Sequence, residues 1–373
     1  MQILNLIQCL NLGGMEQSVY ILMEQTKDRL SWTVQSVTPA GAGRDKVERL
    51  KIPVNDSTYK GKFGWRSFGS LYKKVYGFRG ETVLITGPTL TSCLVTKFHP
   101  AKKILDVHFC HQEGWFNQIK WKLFYWLFGS DYDTIIFHSP FVQHEAEQLA
   151  PWLGYKYQTI LYSTDFYGIP TPDERTAARR HFGLTEDAFV IGNAGWLIDR
   201  KRFDVFLETC SEVIKQYPNV LCLIAGDGPQ KETLQKLSQK LGIEKNVEFL
   251  GWQEDLHLFY KSLNLLLFNS NSDAFGRTVM ESMGYGIPVV ASVVEGGTDA
   301  VIKQGKNGYL LQRHDIALLS KYCLQLISNS DLYKTFQEAA IETIQREFST
   351  QRYVNDYLKI FGQTDNCNIE NAA

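Results

Sequence analysis

Two carboxylates eight residues apart, Asp273 and Glu281, have a spacing fit for chemistry. They lie in the run Asn269-Ser-Asn-Ser-Asp273-Ala-Phe275-Gly276-Arg277-Thr278-Val-Met-Glu281-Ser-Met-Gly-Tyr-Gly286-Ile-Pro288-Val-Val. A glycine-containing turn between them leads into a helix-like stretch. A glycine-proline turn, a β-branched strand and the pair Gly296-Gly297 follow. A loop running into a helix offers unpaired backbone N–H groups and the positive end of the helix dipole, a setting for phosphate. Carboxylates beside it accept hydrogen bonds from sugar hydroxyls. The segment therefore suits a ligand that is both sugar-like and phosphorylated.

Four other runs carry candidate chemistry. Gly192-Asn-Ala-Gly195-Trp196-Leu-Ile-Asp-Arg200-Lys201-Arg202 follows a strand and enters a helix. Its three cations are at odds with a helix start, and a diphosphate would remove the conflict. Asn11-Leu-Gly13-Gly14-Met-Glu16 follows the first strand, where glycine lets the backbone approach a ligand closely. A turn that carries glycine for geometry alone is the equal alternative there. Gly226-Asp227-Gly228-Pro229 is a tight turn or a ligand-facing loop. In Asp106-Val-His108-Phe-Cys-His111-Gln-Glu113, a His-x-x-His pair without a third strong ligand is weak evidence for metal. One histidine at a strand's carboxyl end is better suited to hydrogen-bonding a substrate.

These runs need elements to position them. Strand-like segments at 2–9, 32–38, 82–86, 103–108, 134–138 and 158–161 form one series. A polar break at 163–188 precedes a second series at 188–194, 220–225, 247–250, 263–268, 289–291 and 308–311. Helical patterns lie between, among them 204–216 and 230–241, and a last helix is predicted over 331–361. Strand–helix alternation predicts an α/β fold with parallel sheets. Two series predict two Rossmann-like domains facing a cleft, with ligands at the carboxyl ends of the strands. The expected boundaries are 1–165, 166–345, and a C-terminal segment 346–373 that crosses back to the first domain before a polar tail.

The chain has 373 residues, 44% of them apolar and 21% charged, with a formal net charge of −1. This composition fits a soluble globular protein and does not suit a nucleic-acid binder. Charge is uneven: residues 60–126 hold 11 basic against 3 acidic side chains. Cations mix there with large rings, as in Trp115-Phe116-Asn-Gln-Ile-Lys120-Trp121-Lys122, which suits an anionic membrane surface; burial of the rings in a core is the alternative. Seven scattered cysteines without a Cys-x-x-Cys read as reduced thiols of a cytoplasmic protein. No signal-type core opens the chain, and no apolar run reaches the roughly 20 residues that span a bilayer.

Taken in order, the motifs resemble the retaining glycosyltransferases of family four, of GT-B architecture. The resemblance covers nearly the whole chain and is strongest over 190–311. It implies a hexosyl transfer from a nucleotide-sugar donor to a glycan, lipid-linked or other hydroxyl acceptor, as in polysaccharide biosynthesis. It assigns Glu281 to the ribose hydroxyls and Asp273 to the donor sugar. Backbone contacts would come from Phe275, Gly276, Arg277 and Thr278. Lys201, with Arg200, would neutralise the diphosphate at the Gly195 turn. Gly13 and Gly14 would approach the phosphate and acceptor, and His108 would be the cleft histidine, with His111 in reserve. The chain departs from the family pattern at Asp273, where Glu is usual, and at Trp196, where Arg is frequent. No cofactor is expected, and no metal, on the reading that the chain lacks an Asp-x-Asp pair. The expected location is the cytoplasm and the inner membrane face. A non-catalytic nucleotide- or glycan-binding protein of the same fold is the alternative. A nicotinamide-dependent dehydrogenase is disfavoured, because Gly-x-Gly-x-x-Gly is absent after the first strand.

Overall fold

The computed structural model describes residues 1–11, 13–57, 65–111, 114–273, 275–292 and 295–363. Fifteen strands are named in chain order. β1 (Gln2–Ile7), β2 (Ser31–Ser36), β3 (Val54–Asn55), β4 (Thr82–Thr86), β5 (Lys102–Val107), β6 (Thr134–Phe137) and β7 (Tyr157–Thr159) form the first sheet. β8 (Phe189–Ala194), β9 (Val220–Ala225), β10 (Val247–Gly251), β11 (Leu265–Phe268), β13 (Val289–Ser292) and β15 (Gly308–Leu311) form the second, while β12 (Ser272–Asp273) and β14 (Glu295–Gly296) pair by themselves. All of these pairings are parallel. Continuous runs such as Val-Leu-Cys-Leu-Ile-Ala in β9 are what a strand covered on both faces requires.

The strand orders are β3-β2-β1-β4-β5-β6-β7 and β10-β9-β8-β11-β13-β15. Each reverses direction beside its first strand, between β1 and β4 and between β8 and β11. At such a point the loops leaving the two strands part to opposite faces and open a crevice at their carboxyl ends. The fold is therefore α/β with two Rossmann-like sheets.

The chain divides into two compact units. The first is Met1–Ser163 together with the chain from Thr350 onward; the second is Thr164–Ser349. The predicted last helix is two helices, Ser330–Glu347 and Thr350–Phe361. The apolar period carries through the break, because both halves bury a face. Phe336, Ala340 and Ile344 are buried in the first of these helices, and Tyr353, Val354, Tyr357, Leu358 and Phe361 in the second. The latter five join Ile3, Leu22, Ile104 and Ile136 in one core of the first unit. Burying each apolar side chain contributes about 1.5–3 kcal/mol, an upper range because the unfolded chain already hides some surface. Arg352 adds hydrogen bonds to the carbonyls of Leu161 (2.5 Å) and Tyr162 (3.1 Å).

Candidate functional site

In the second unit the loops after β8 and β11 flank the switch point. After β8, Gly195 takes φ +153°, and a 3-10 turn, Asp199–Lys201, holds Arg200 and Lys201. Arg202, at φ +50°, is the N-cap of the helix Phe203–Gln216. The three cations thus precede the helix and still face the positive end of its dipole, where Asp204 in the first turn offsets Arg202. Arg202 is diverted to Asp204 by a fork of bonds at 2.9–3.2 Å. Arg200 donates to the carbonyl of Ser272.

Lys201 and Asp273, 72 positions apart, meet at 2.5 Å. The other Asp273 oxygen accepts from the N–H of Gly276 (3.2 Å) and of Phe275 (3.4 Å). Burial alone would raise the Asp273 carboxyl, but the Lys201 ammonium and these donors hold it below the ordinary value. Gly276, at φ +73°, turns the chain into the helix Arg277–Gly284. One turn on, Glu281 accepts from Tyr260 Oη (2.7 Å) and from Arg277 (3.2 Å). Thr278 donates to the carbonyl of Ala194 at the end of β8 (3.4 Å), and Phe275 is buried. The structure thus gathers Gly195, Arg200, Lys201, Asp273, Phe275, Gly276, Arg277, Thr278 and Glu281 about one pair of strand ends. Trp196 stands outward with its ring 5.2 Å from that of Trp252.

Gly226-Asp227-Gly228 braces this loop. A Cβ on Gly226 would lie 1.9 Å from the Gly195 carbonyl oxygen, and one on Gly228 would lie 2.6 Å from that of Leu197. The two backbones touch through Gly195 N–H to Ala225 (2.9 Å) and Leu197 N–H to Asp227 (2.9 Å). The run holds the phosphate-loop candidate in place.

In the first unit, Gly13 caps the helix Gly14–Thr26 without a side-chain bond, and the Glu16 carboxylate folds back over it. His108 and His111, read together as a possible pair, part company. His111 Nε2 lies 2.7 Å from Tyr125 Oη, among the rings of Trp121 and Phe137. His108 joins Asp106 and His138 instead, a grouping that local sequence reading missed. Parallel register supplies the missing signal: Val107 of β5 is beside Phe137 of β6, so the next residues, His108 and His138, are neighbours.

Asp106 accepts from His108 Nε2 (2.9 Å), His138 Nε2 (2.7 Å) and Tyr357 Oη (2.9 Å). Burial would raise its carboxyl, yet the His108 and His138 rings bring it well below the ordinary value. Burial holds the His108 imidazole below its ordinary value, against the pull of Asp106. His108 Nδ1 meets Tyr162 Oη at 2.6 Å and His138 Nδ1 meets the Ile160 carbonyl at 2.8 Å. Asp106, His108 and His138 also form a group whose ligand atoms are close enough to hold a metal ion. Their direct contacts already satisfy the carboxylate.

The chain contains one Asp-x-Asp triplet, Asp131-Tyr132-Asp133, so a metal-free reading cannot rest on its lack. These carboxylates precede β6 and so lie at the amino end of the strand, away from the switch points. Asp131 faces Lys97 (3.7 Å) and Asp133 accepts from the Lys103 N–H (2.7 Å). Residues 60–64 of the basic run, Glu113 and Cys367 lie outside the described residues.

Residues 174–343 match the family described as glycosyl transferases group 1. Over 228 residues the chain is 28% identical to the lipopolysaccharide core biosynthesis glycosyltransferase LpsE of Rhizobium meliloti (strain 1021), covering 61% of this chain and 64% of the relative. It is 27% identical over 188 residues to the N-acetyl-alpha-D-glucosaminyl L-malate synthase of Bacillus anthracis, covering 50% of this chain and 49% of the relative. The chain thus spans less than two thirds of the length of these relatives. The solved structure of Anabaena HepE in complex with UDP-glucose has the same fold, with a TM-score of 0.85 at 20% identity over 97% of this chain and 99% of that one.

Proposed function

We propose that this chain, whose residues 174–343 match the group 1 glycosyl transferases, is a member of that family and a retaining hexosyltransferase with a UDP-sugar donor. The acceptor is a hydroxyl of a glycan or lipid-linked glycan at the inner face of a membrane. One observation carries the reading: Lys201 and Asp273 meet at 2.5 Å at the switch point of the second sheet, beside the helix start at Gly276. The likeness to HepE with UDP-glucose supports a uridine donor, and the likeness to LpsE supports a glycan acceptor.

In this reading Glu281 exchanges its Tyr260 and Arg277 partners for ribose hydroxyls. Asp273 takes sugar hydroxyls, while Lys201 and Arg200 take the diphosphate with the N–H groups of the Phe275–Thr278 turn. The bond from C1 to the phosphate oxygen breaks as the acceptor oxygen bonds to C1 on the same face. The acceptor proton passes to a diphosphate oxygen, and UDP leaves. Charge develops on the diphosphate, so fixed cations and helix-start N–H groups stabilise the transition state more than the ground state. For the acceptor the reading assigns Gly13 and Gly14, and also His108, which would have to release Tyr162 or Asp106 to serve there. No resident cofactor or metal takes part. Loss of transfer in EDTA with rescue by added cation would contradict that.

The test is a thermal-shift panel of UDP, GDP, ADP and TDP with their sugar conjugates, followed by transfer assays. A ligand at about 100 times its Kd stabilises by about 2.7 kcal/mol. UDP compounds should shift the melt, and Glu281→Ala should remove the shift. Product with the donor's anomeric configuration, read by NMR, completes the case. A UDP-sugar that binds but is never transferred or hydrolysed would favour the non-catalytic alternative.

A further inference from the structure

The geometry points to the outward face of the helix Trp115–Phe128 as a docking surface for an anionic lipid bilayer. The inference deepens the membrane-side acceptor reading above and rests on it. Its readout is lipid binding, which is separate from sugar transfer.

The helix reads Trp-Phe-Asn-Gln-Ile-Lys-Trp-Lys-Leu-Phe-Tyr-Trp-Leu-Phe and holds no acidic residue. A surface helix ordinarily buries one apolar stripe and shows a polar one. Here the stripe of Trp121, Phe124, Tyr125 and Phe128 packs on the core of the first unit. The other side is apolar too, and exposed: Trp115 is 63% accessible, Phe116 70% and Trp126 68%, with Ile119, Leu123 and Leu127 between them. At about 100° per residue these six fall within an arc of roughly 120°. Lys120 and Lys122 project at its two borders, one on each side. Contiguous exposed apolar surface of this kind marks an interaction site.

The patch continues past the end of the helix. Lys97 Nζ bonds the Leu127 carbonyl (3.2 Å), and next to it in sequence Phe98 is exposed. Lys156 Nζ bonds the carbonyls of Ser130 (2.9 Å) and Tyr132 (2.6 Å), and its neighbour Tyr155 is exposed. Rings and ammonium groups therefore share one border, on which Asp131 faces Lys97 (3.7 Å).

A bilayer surface takes both at once. Tryptophan prefers the headgroup level, lysine stems let the charge reach lipid phosphates, and a helix lying in the interface buries its apolar face a few ångströms deep. Anionic lipid complements the bordering lysines. A second copy fits less well. A two-fold axis near the helix centre would set Lys120 and Lys122 against their own equivalents, and like charges oppose that. Among the described residues no helix is long and apolar enough to cross a membrane, so the contact is one of lying on the surface.

The experiment is co-sedimentation of the full chain with vesicles of phosphatidylcholine alone or mixed with phosphatidylglycerol, at low and high salt. Binding to the anionic vesicles should weaken with salt. It should fall about tenfold or more in Trp115→Ser/Phe116→Ser/Trp126→Ser, and by a similar factor in Lys120→Glu/Lys122→Glu. Both variants should keep the UDP thermal shift, which certifies their fold. Equal recovery in the supernatant with and without anionic vesicles overturns the proposal. So does a dimer by light scattering that becomes a monomer in the aromatic variant. Vesicle binding that obeys these rules without any UDP response supports docking and counts against the donor reading alone.

Discussion

In the first sheet β1 and β4 flank the point where strand order reverses, and in the second β8 and β11 do. The two crevices share a backbone plan and hold different chemistry. At the second, charged side chains stand partly open: Lys201 and Asp273 keep 15% and 21% of their side-chain surface, and Arg277 and Glu281 keep 18% and 22%. In the first unit the titratable groups that cluster stand one strand further on, at the ends of β5 and β6, and are withdrawn. Asp106, His108 and His138 keep 0–2% and bind one another. Open pairs can exchange partners for a ligand at modest cost, whereas a closed buried network resists the loss of any member. On the proposed reading, the open pairs of the second unit are the ones that take up an anion, while the Asp106 cluster of the first holds its own shape.

The largest expected effect tests the open half. Lys201→Ala leaves the switch point with one cation fewer and should lower kcat by about 10²–10³. Lys201→Arg should recover part of it. Near-normal turnover in Lys201→Ala would break the assignment of the second crevice to the diphosphate. A glycine pair sharpens the contrast next. Gly226→Ala sets a Cβ 1.9 Å from the Gly195 carbonyl oxygen at φ +152°, against backbone rather than a side chain that could give way. It should cost about 3 kcal/mol in denaturant titration. Gly13→Ala meets only the flexible end of Glu16 at φ −89° and should cost less than about 1 kcal/mol. Equal costs would mean that the two phosphate-loop candidates are braced alike.

How much of this was legible in the sequence follows from what each feature depends on. Strands of branched apolar residues announce themselves, and the expected bounds of β4, β9 and β15 agree with the structure. β3 escaped because it is two residues at a sheet edge behind Pro53, too short for any period. The helix break at Phe348-Ser349 escaped because apolar periodicity records that a face is buried, not which unit buries it. At the site, Gly276, Arg277 and Glu281 were readable as one local turn and helix. The contact of Lys201 with Asp273 was readable only through topology, which makes β8 and β11 neighbours. His138 was missed because it lies 30 positions from His108 and no local motif joins them; the register of β5 and β6 does.

The closed half has its own test, of intermediate size. Tyr357→Phe keeps the ring against Tyr353 and Phe361 and removes only the hydroxyl that donates to Asp106. A hydrogen bond to a charged group is worth about 1.5–3 kcal/mol, so the melting temperature should fall while the UDP shift persists. An unchanged melt would mean that this hydroxyl adds nothing to the hold of the apolar face and of Arg352.

The smallest effect is the acid response, and its sign separates the groups. Burial holds His108 below its ordinary value, so the folded chain resists a proton that the unfolded chain accepts near about 6.5. The stability this group contributes is complete above that pH and is lost as pH falls through its folded value. His99 and His314 are lowered by burial as well and act in the same direction. Asp106 is also lowered, but from the carboxylate range, so its share persists until far more acid conditions. Melting temperature should therefore decline gently from neutral toward pH 5 and steeply only below about pH 4. His108→Gln should flatten the first decline, leaving the part due to His99 and His314, and spare the second. A melt that rises on mild acidification would reverse the sign. It would mean that His108 is stabilised as the cation by Asp106, so that the first unit holds an ion pair where a neutral ring is expected.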